Sequence, residues 1–179
     1  MLDGFTLTGA SPGSDELSAF GGGIYIKATN PTLKNLIIEN NSSFYPMEQG
    51  VGGGIYCESG SIKASNLKIR KNICGGTYGG GGIYAANSNI ILDNCEITKN
   101  CTWGASFRGG LYFSNINFLI ENSKIEYNDQ PDWLPLNPTA IGIDNSVGSF
   151  VNTIINDSIR FMNSNIKFNK CIINGVIYP

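Results

Sequence analysis

Residues 81–100 read GGIYAANSNIILDNCEITKN, and the same arrangement of residues returns along the chain. The opening motif, two glycines followed by an aliphatic residue and tyrosine, recurs at 22–25, 53–56 and 109–112. An asparagine follows eleven residues after each aliphatic residue, and a second asparagine comes six residues later. The period is 31, then 28, then 28 along the sequence. One structural unit is therefore repeated.

Each repeat contains three short stretches in which apolar and polar residues alternate, as they do in β-strands. In the repeat quoted above these stretches are 82–86, 89–93 and 95–98. A single repeat cannot bury its apolar side alone, whereas stacked repeats share one continuous core. We therefore predict a single all-β domain over residues 1–179, a parallel β-helix solenoid of about five coils with three strands each.

The C-terminal part fits the repeat less well. The twin asparagines return at Asn163 and Asn169, at a spacing of 41 from the preceding pair. This alignment gives the final coil about 13 extra residues relative to the period of 28, and it predicts an irregular insertion over 142–163. The chain begins inside one coil and ends early in another. We expect a segment of a longer chain, or open ends that associate head to tail with further copies.

Two sequence motifs resemble those of known families. LDGFTLTG at 2–9 resembles a common coil of the right-handed parallel β-helix family, the pectate-lyase-like superfamily. The Gly-Gly-aliphatic starts with coil-ending asparagines resemble repeats of bacterial polymorphic outer-membrane and adhesin passenger proteins. The resemblance covers nearly the whole chain and implies a right-handed parallel β-helix. It implies little about function, because that superfamily contains lyases, hydrolases, epimerases and adhesins.

A leucine-rich repeat is the competing fold. The spacing of Leu33, Leu36, Ile38 and Asn41 fits its core motif. Those repeats have one strand and a helical or 3₁₀ return. Each repeat here contains two further alternating strands and a Gly-Gly corner, which favours the β-helix.

The recurring asparagines predict two structural ladders. An asparagine at the same turn of successive coils bonds its own turn and the next asparagine. Ligand contact is the alternative interpretation. The predicted ladder positions are Asn35, Asn66, Asn94, Asn122 and Asn163 for the first ladder, and Asn41, Asn72, Asn100, Asn128 and Asn169 for the second. Burial in a ladder would also keep the glycosylation sequons at Asn41 and Asn100 unmodified.

A row of tyrosines is the sharpest functional candidate. Tyr25, Tyr56, Tyr84 and Tyr112 should stack on the outer face of the first strand of each coil, beside loops that contain Trp103 and Trp133. Exposed aromatic rows suit a polysaccharide, a surface glycan or a protein partner. In the alternative interpretation the tyrosines stack on one another and are covered by the loops.

The five cysteines do not form a complete disulfide framework, because their number is odd. Cys74 and Cys101 follow the second asparagine on adjacent coils and are candidates for a disulfide, which would fit an oxidising compartment. Cys57 and Cys95 occupy predicted core positions. No cysteine spacing indicates a metal site, and we expect no cofactor.

Composition excludes several function classes. The net charge is −2, from 12 basic and 14 acidic residues, which argues against nucleic acid as a partner. No apolar stretch is long enough to span a membrane. Histidine does not occur, so the sequence excludes histidine-based catalysis and histidine metal ligands.

These features favour an extracellular or cell-surface structural or adhesive β-helix, acting as a stalk, adhesin or fibre subunit without catalysis. The alternative is a carbohydrate-active β-helix that binds or cleaves an extracellular polysaccharide as a lyase does. Acidic residues are too few on the first-strand face for a typical Ca²⁺ site. Asp129 and Asp132 are the only candidate for a local carboxylate pair.

Overall fold

A computed structural model describes residues 1–11, 20–43, 50–76, 79–103, 108–128 and 139–178. In this part of the chain all regular secondary structure is β. The strands are β1 (Leu2–Asp3), β2 (Thr6–Thr8), β3 (Ile24–Lys27), β4 (Thr32–Lys34), β5 (Ile37–Glu39), β6 (Ser42–Ser43), β7 (Ile55–Glu58), β8 (Ser61–Ser65), β9 (Lys68–Arg70), β10 (Ile73–Cys74), β11 (Ile83–Ala86), β12 (Asn89–Asp93), β13 (Glu96–Thr98), β14 (Cys101–Thr102), β15 (Leu111–Ser114), β16 (Asn117–Glu121), β17 (Lys124–Glu126), β18 (Ile141–Asp144), β19 (Val147–Val151), β20 (Ile154–Ile155), β21 (Ile159–Met162), β22 (Asn165–Asn169), β23 (Ile172–Ile173) and β24 (Ile177–Tyr178).

The strands wind into three long parallel sheets. The first sheet contains β3, β7, β11, β15, β18, β21 and β24, the second β1, β4, β8, β12, β16, β19 and β22, and the third β2, β5, β9, β13, β17, β20 and β23. Every strand pairs in parallel with its counterpart on the next coil, and Ile83 lies between Ile55 and Leu111 as predicted. The prediction of an all-β parallel β-helix with three strands per coil is confirmed.

The coil turns at residues with left-handed backbone conformation. The first corner joins the first sheet to the second, the second corner joins the second to the third, and the third corner returns to the first sheet of the next coil. Asparagine tolerates positive φ better than most residues, which explains its abundance at the corners. The non-glycine residues with positive φ are Ala28, Ser59, Asn87, Asn115, Asn145 and Asn163 at the first corner, Asn35, Asn66, Asn94, Asn122, Asn152 and Lys170 at the second, and Asn40, Lys71, Lys99 and Tyr127 at the third.

Length variation between coils falls at the third corner. A short fourth sheet of β6, β10 and β14 lies there. Stacked positions on successive coils are 31 residues apart from Asn41 to Asn72 and 28 residues apart from Asn72 to Asn100. They are only 18 residues apart from Asn145 to Asn163 and from Asn156 to Asn174. The last coils therefore lack the loop and consist of strands and tight corners alone.

The predicted irregular insertion over 142–163 is not what the structure shows. This segment contains most of β18, all of β19 and β20, and most of β21, each paired in parallel with its neighbours. A period near 28 misplaces this segment, because stacked positions on these coils are only 18 residues apart. Each long sheet accordingly has seven strands, more than the five coils predicted.

The core runs along the axis between the three sheets. Inward side chains from each coil stack on their counterparts, and Ile55, Ile83, Leu111, Ile141 and Ile159 are completely buried in one such column. Phenylalanine fills the interior toward the C-terminal coils, where Phe118, Phe150 and Phe168 follow one another with ring centroids 5.3 Å apart. This burial supplies the main driving force for stacking the coils.

Candidate functional site

The predicted tyrosine column is present on the outer face of the first sheet. Tyr25, Tyr56 and Tyr84 stack with ring centroids 5.2–5.3 Å apart and interplanar angles of 2–3°. Tyr112 continues the column at 5.5 Å with its ring tilted by 49°. The strand register produces this arrangement, because each tyrosine occupies the same position of adjacent parallel strands.

The tyrosines of the column differ in how far they are buried. Tyr56 and Tyr112 are each 6% exposed, whereas Tyr25, at the N-terminal end of the column, is 46% exposed. Phe20 packs its ring edge-on to Tyr56 with the centroids 5.0 Å apart. A sugar ring would need a free aromatic face, and Tyr25 is the column member with the largest exposed fraction. The geometry thus favours self-stacking for the inner tyrosines.

A polar chain borders the column at its N-terminal end. The Tyr56 hydroxyl donates to Glu58 at 3.1 Å, and Lys27 forms an ion pair with the same carboxylate oxygen at 3.1 Å. Burial raises the pKa of Tyr56, and the carboxylate of Glu58 raises it further. The Lys27 pKa is raised mainly by its hydrogen bond to Glu58. Tyr56 therefore stays neutral and Lys27 stays charged.

Arginine closes the column at the other end. Gly142 takes the next position after Tyr112 in the sheet, and the Arg108 side chain lies over the space where a larger residue would project. The Arg108 guanidinium carbon is 4.3 Å from the centroid of the Tyr112 ring. This is a cation–π contact, and the guanidinium stands where a fifth ring would stack.

Asp144 joins these groups into one cluster. Its Oδ2 accepts a hydrogen bond from the Tyr112 hydroxyl at 2.9 Å and lies 3.4 Å from an Arg108 nitrogen. Burial and the hydrogen bond to Asp144 raise the Tyr112 pKa, so this phenol acts as a donor. Asp144 is buried, and its Oδ1 has no hydrogen-bond partner among the described residues. The carboxylate is held on one oxygen and free to accept on the other.

The sequence pointed to this cluster only in part. Arg108 stands out as the arginine beside the Gly-Gly corner, and Asp144 as an outward position in line with Glu58 and Ser114. Their pairing was missed because the repeat gives the position of each residue on its coil but not the distance between the two side chains. Arg160 follows Gly142 on the next strand of the same face.

Of the two tryptophans predicted to contact a ligand, the structure describes one. Trp103 is exposed, and its backbone N–H donates to the Cys74 carbonyl at 2.8 Å. Its exposed side chain remains a candidate ligand contact. Trp133 lies outside the described residues, as do Asp129 and Asp132.

The second predicted asparagine ladder is buried and continuous. Asn41 donates its amide to Asn72, Asn72 to Asn100, and Asn100 to Asn128, at 2.9–3.0 Å. Each backbone N–H also donates to the side-chain oxygen of the next asparagine, at 3.0–3.1 Å. All four residues are buried, so the sequons at Asn41 and Asn100 are inaccessible.

This ladder ends on a carboxylate. Asn128 donates its amide to Asp157 at 2.7 Å, and Asp157 is buried. The prediction placed Asn169 here, and it is wrong. Asn169 lies at the exposed end of β22 opposite Val151, because the shorter C-terminal coils shift every later position.

The first predicted ladder runs along the solvent-exposed second corner. Asn66 donates to Asn35 and Asn94 to Asn66, each at 2.8 Å, while Asn122 donates to Asp93 instead of Asn94. Asn152 extends it by donating to Asn122 at 2.8 Å. Asn163 was assigned here incorrectly. It lies at the first corner and donates to Asn145 at 3.4 Å.

The cysteines are all free thiols. The register places Cys101 beside Ile73 and Cys74 beside Thr102. Cys74 and Cys101 are therefore offset by one residue and point to opposite sides of the sheet, so the predicted disulfide is not formed. Burial raises the pKa of Cys74 to about 11 and that of Cys101 to about 12. Cys57 and Cys95 are buried in the core as expected.

Two kinds of site are absent from the described ranges. No group of three or more histidine, cysteine, aspartate or glutamate residues that could hold a metal ion occurs among these residues. No helix long and apolar enough to cross a membrane occurs among them either.

No match to the chain was found among protein families, curated proteins or solved structures. The resemblance to the pectate-lyase-like superfamily and to adhesin repeats therefore stays a prediction beyond the β-helix fold itself.

Proposed function

We propose that the chain is a rigid structural segment of an extracellular or cell-surface protein, acting as a stalk, adhesin or fibre element without catalysis. One observation carries the proposal: the repeated side chains bond the neighbouring coil. The buried asparagines donate to the next coil, and the tyrosines stack coil on coil. Such ladders stiffen stacked parallel strands along the axis.

The dimensions suit a spacer. Seven strands per sheet at about 4.8 Å per strand give a rod segment about 30 Å long. Coils that contact only their neighbours lengthen such a rod without changing its cross-section. Head-to-tail association of copies is a further prediction of this proposal.

A ligand panel tests the proposal. The full chain is incubated with soluble polysaccharides, with and without Ca²⁺, and the ultraviolet absorbance of unsaturated sugar products is followed. We expect no cleavage, and release of unsaturated sugar would overturn the structural assignment.

Adhesion is tested separately with Tyr25→Asn on a glycan array. Tyr127→Asn is the matched control, because Tyr127 is also exposed, at 60%, but lies at the third corner. If the adhesive role depends on the tyrosine column, only Tyr25→Asn lowers binding. Equal binding by wild type and both variants would remove the column from the adhesive role.

A second candidate function is carbohydrate binding or cleavage at the Arg108–Tyr112–Asp144 cluster. The observation that favours it is the buried Asp144 oxygen without a partner among the described residues, because a buried carboxylate oxygen gains from a donor such as a sugar hydroxyl. Asp144→Asn retains the shape and removes the charge. Loss of glycan binding or cleavage in this variant would support the second function, and unchanged binding would exclude this cluster.

A further inference from the structure

The outer face of the second sheet is open and carries an apolar stripe. Ile91 is 40% and Val147 55% exposed, and Leu119 between them is half-buried. These residues come from the adjacent strands β12, β16 and β19. Exposed aliphatic side chains on neighbouring strands form a contiguous patch, which is typical of an interaction surface.

The outward side chains of this sheet form three columns, which together we call the open face. The register defines each column. The middle column is Thr32, Lys63, Ile91, Leu119, Ser149 and Lys167. The column beside the first corner is Ser61, Asn89, Asn117, Val147 and Asn165. The column beside the second corner is Asp3, Lys34, Ser65, Asp93, Glu121, Val151 and Asn169.

We propose that the open face docks a second copy of this chain, side by side and parallel, about a two-fold axis along the rod. Such an axis places each first-corner side chain opposite the second-corner side chain of the same coil in the second copy. Asn117 then faces Glu121 of the second copy, and Val147 faces Val151. Amide donors meet carboxylate acceptors on both flanks, with Ile91 and Leu119 packed on their own counterparts between them.

The charges disfavour the antiparallel alternative. A two-fold axis across the rod keeps each column opposite itself and reverses the coil order. Centred on Leu119, it places Glu121 against Glu121. Centred between Ile91 and Leu119, it places Asp93 against Glu121. Opposed carboxylates repel, and the parallel pairing opposes none. It places Lys63 and Lys167 of the middle column opposite their own counterparts, where these long side chains can turn outward to reach water.

The area of the face places the contact in a size class of interfaces. Of the seven strands, β1 has two residues and β4 three, while the others have five. The sheet therefore spans about 30 Å by at most about 16 Å, and each copy buries at most about 500 Å². The total of at most about 1,000 Å² lies at the lower limit of specific interfaces. We therefore expect a weak, concentration-dependent dimer. This inference deepens the structural role proposed above and rests on it.

Sedimentation velocity of the full chain over a concentration series tests the pairing. The wild type should shift from monomer to dimer as concentration rises. Ile91→Lys should weaken the dimer by about tenfold or more, since it places a charge at the centre of the interface. Ile154→Lys is the matched control, because Ile154 is 38% exposed but lies on the third sheet, and it should leave the dimer unchanged.

A charge swap tests the orientation. Asn117→Glu alone should weaken the dimer, because the introduced carboxylate would face Glu121 of the second copy. Adding Glu121→Asn should restore it, since an amide again faces a carboxylate. Circular dichroism checks that each variant folds. The charge swap leaves the apolar stripe unchanged, so it tests the orientation separately from the apolar contact.

The outcomes separate this inference from the proposed function. A chain that stays monomeric, or a dimer indifferent to Ile91→Lys, overturns the pairing and leaves the structural role intact. Failure of the swap to rescue overturns the parallel orientation. Polysaccharide cleavage would overturn the structural role whatever the association state.

Discussion

Replacing Asn100 by alanine tests the buried ladder most directly. The Asn100 amide donates to the Ile69 carbonyl and to the Asn128 side chain, each at 2.9 Å. Its oxygen accepts the backbone N–H and the amide of Asn72, each at 3.0 Å. Alanine removes all four bonds from a site that is completely buried.

The expected cost follows from the donors left behind. Two N–H groups of Asn72 lose their acceptor, and each unsatisfied buried group costs about 1–3 kcal/mol. The other amide hydrogen of Asn72 keeps its bond to Ile38, at 2.8 Å. We expect Asn100→Ala to lower the free energy of unfolding by about 4 kcal/mol, a large part of the about 5–15 kcal/mol available to a domain.

Urea unfolding followed by circular dichroism measures this loss. Asn89→Ala is the control, because Asn89 is an exposed asparagine of the same coil. Among the described residues its side chain makes a single hydrogen bond, which it accepts from Asn117 at 3.2 Å. We expect the control to change stability by about 0.5 kcal/mol or less. If Asn100→Ala were no more destabilising than Asn89→Ala, the ladder would not hold the coils together.

Three further predictions concern other parts of the fold. Gly81→Ala should cost about 1–3 kcal/mol in urea unfolding, because the added Cβ would lie 2.6 Å from the carbonyl oxygen of Gly109 and closer still to that of Cys101. Arg108→Ala should cost about 3 kcal/mol, since it leaves the Asp144 carboxylate buried with only one donor, and a double-mutant cycle with Asp144→Ala should show strong coupling. Stability should fall between pH 9 and about 12, because unfolding lets the buried Cys74, Cys95 and Cys101 thiols ionise at their ordinary pKa. Replacing Cys74 by alanine should make this decline shallower.

The fold follows from the sequence because each coil repeats the same chemistry at the same place. The Gly-Gly-aliphatic-Tyr starts set the register of Ile55, Ile83 and Leu111, and period-2 alternation assigns which side chains face inward. The tyrosine column and the buried asparagines then follow from the register alone. Local pattern and global stacking agree here, which makes a solenoid readable from a single sequence.

The C-terminal coils could not be read in the same way. The Gly-Gly pairs lie where the third-corner loop re-enters the first sheet. Coils without that loop therefore lack the Gly-Gly pair that identifies the start of a repeat. Asp157 replaces asparagine at the end of the buried ladder, which removes the second marker. Partners of charged side chains such as Arg108 and Asp144 depend on three-dimensional distances that the repeat does not encode.

The short spacing from Ile141 to Ile159 and from Ile159 to Ile177 describes a minimal building block. Because each block bonds only the blocks above and below it, duplicating this segment would lengthen the molecule in increments of about 4.8 Å. The third corner, by contrast, already carries peptides of different lengths. It is therefore the natural position at which to insert foreign sequences. One scaffold then offers an adjustable length and a row of insertion sites.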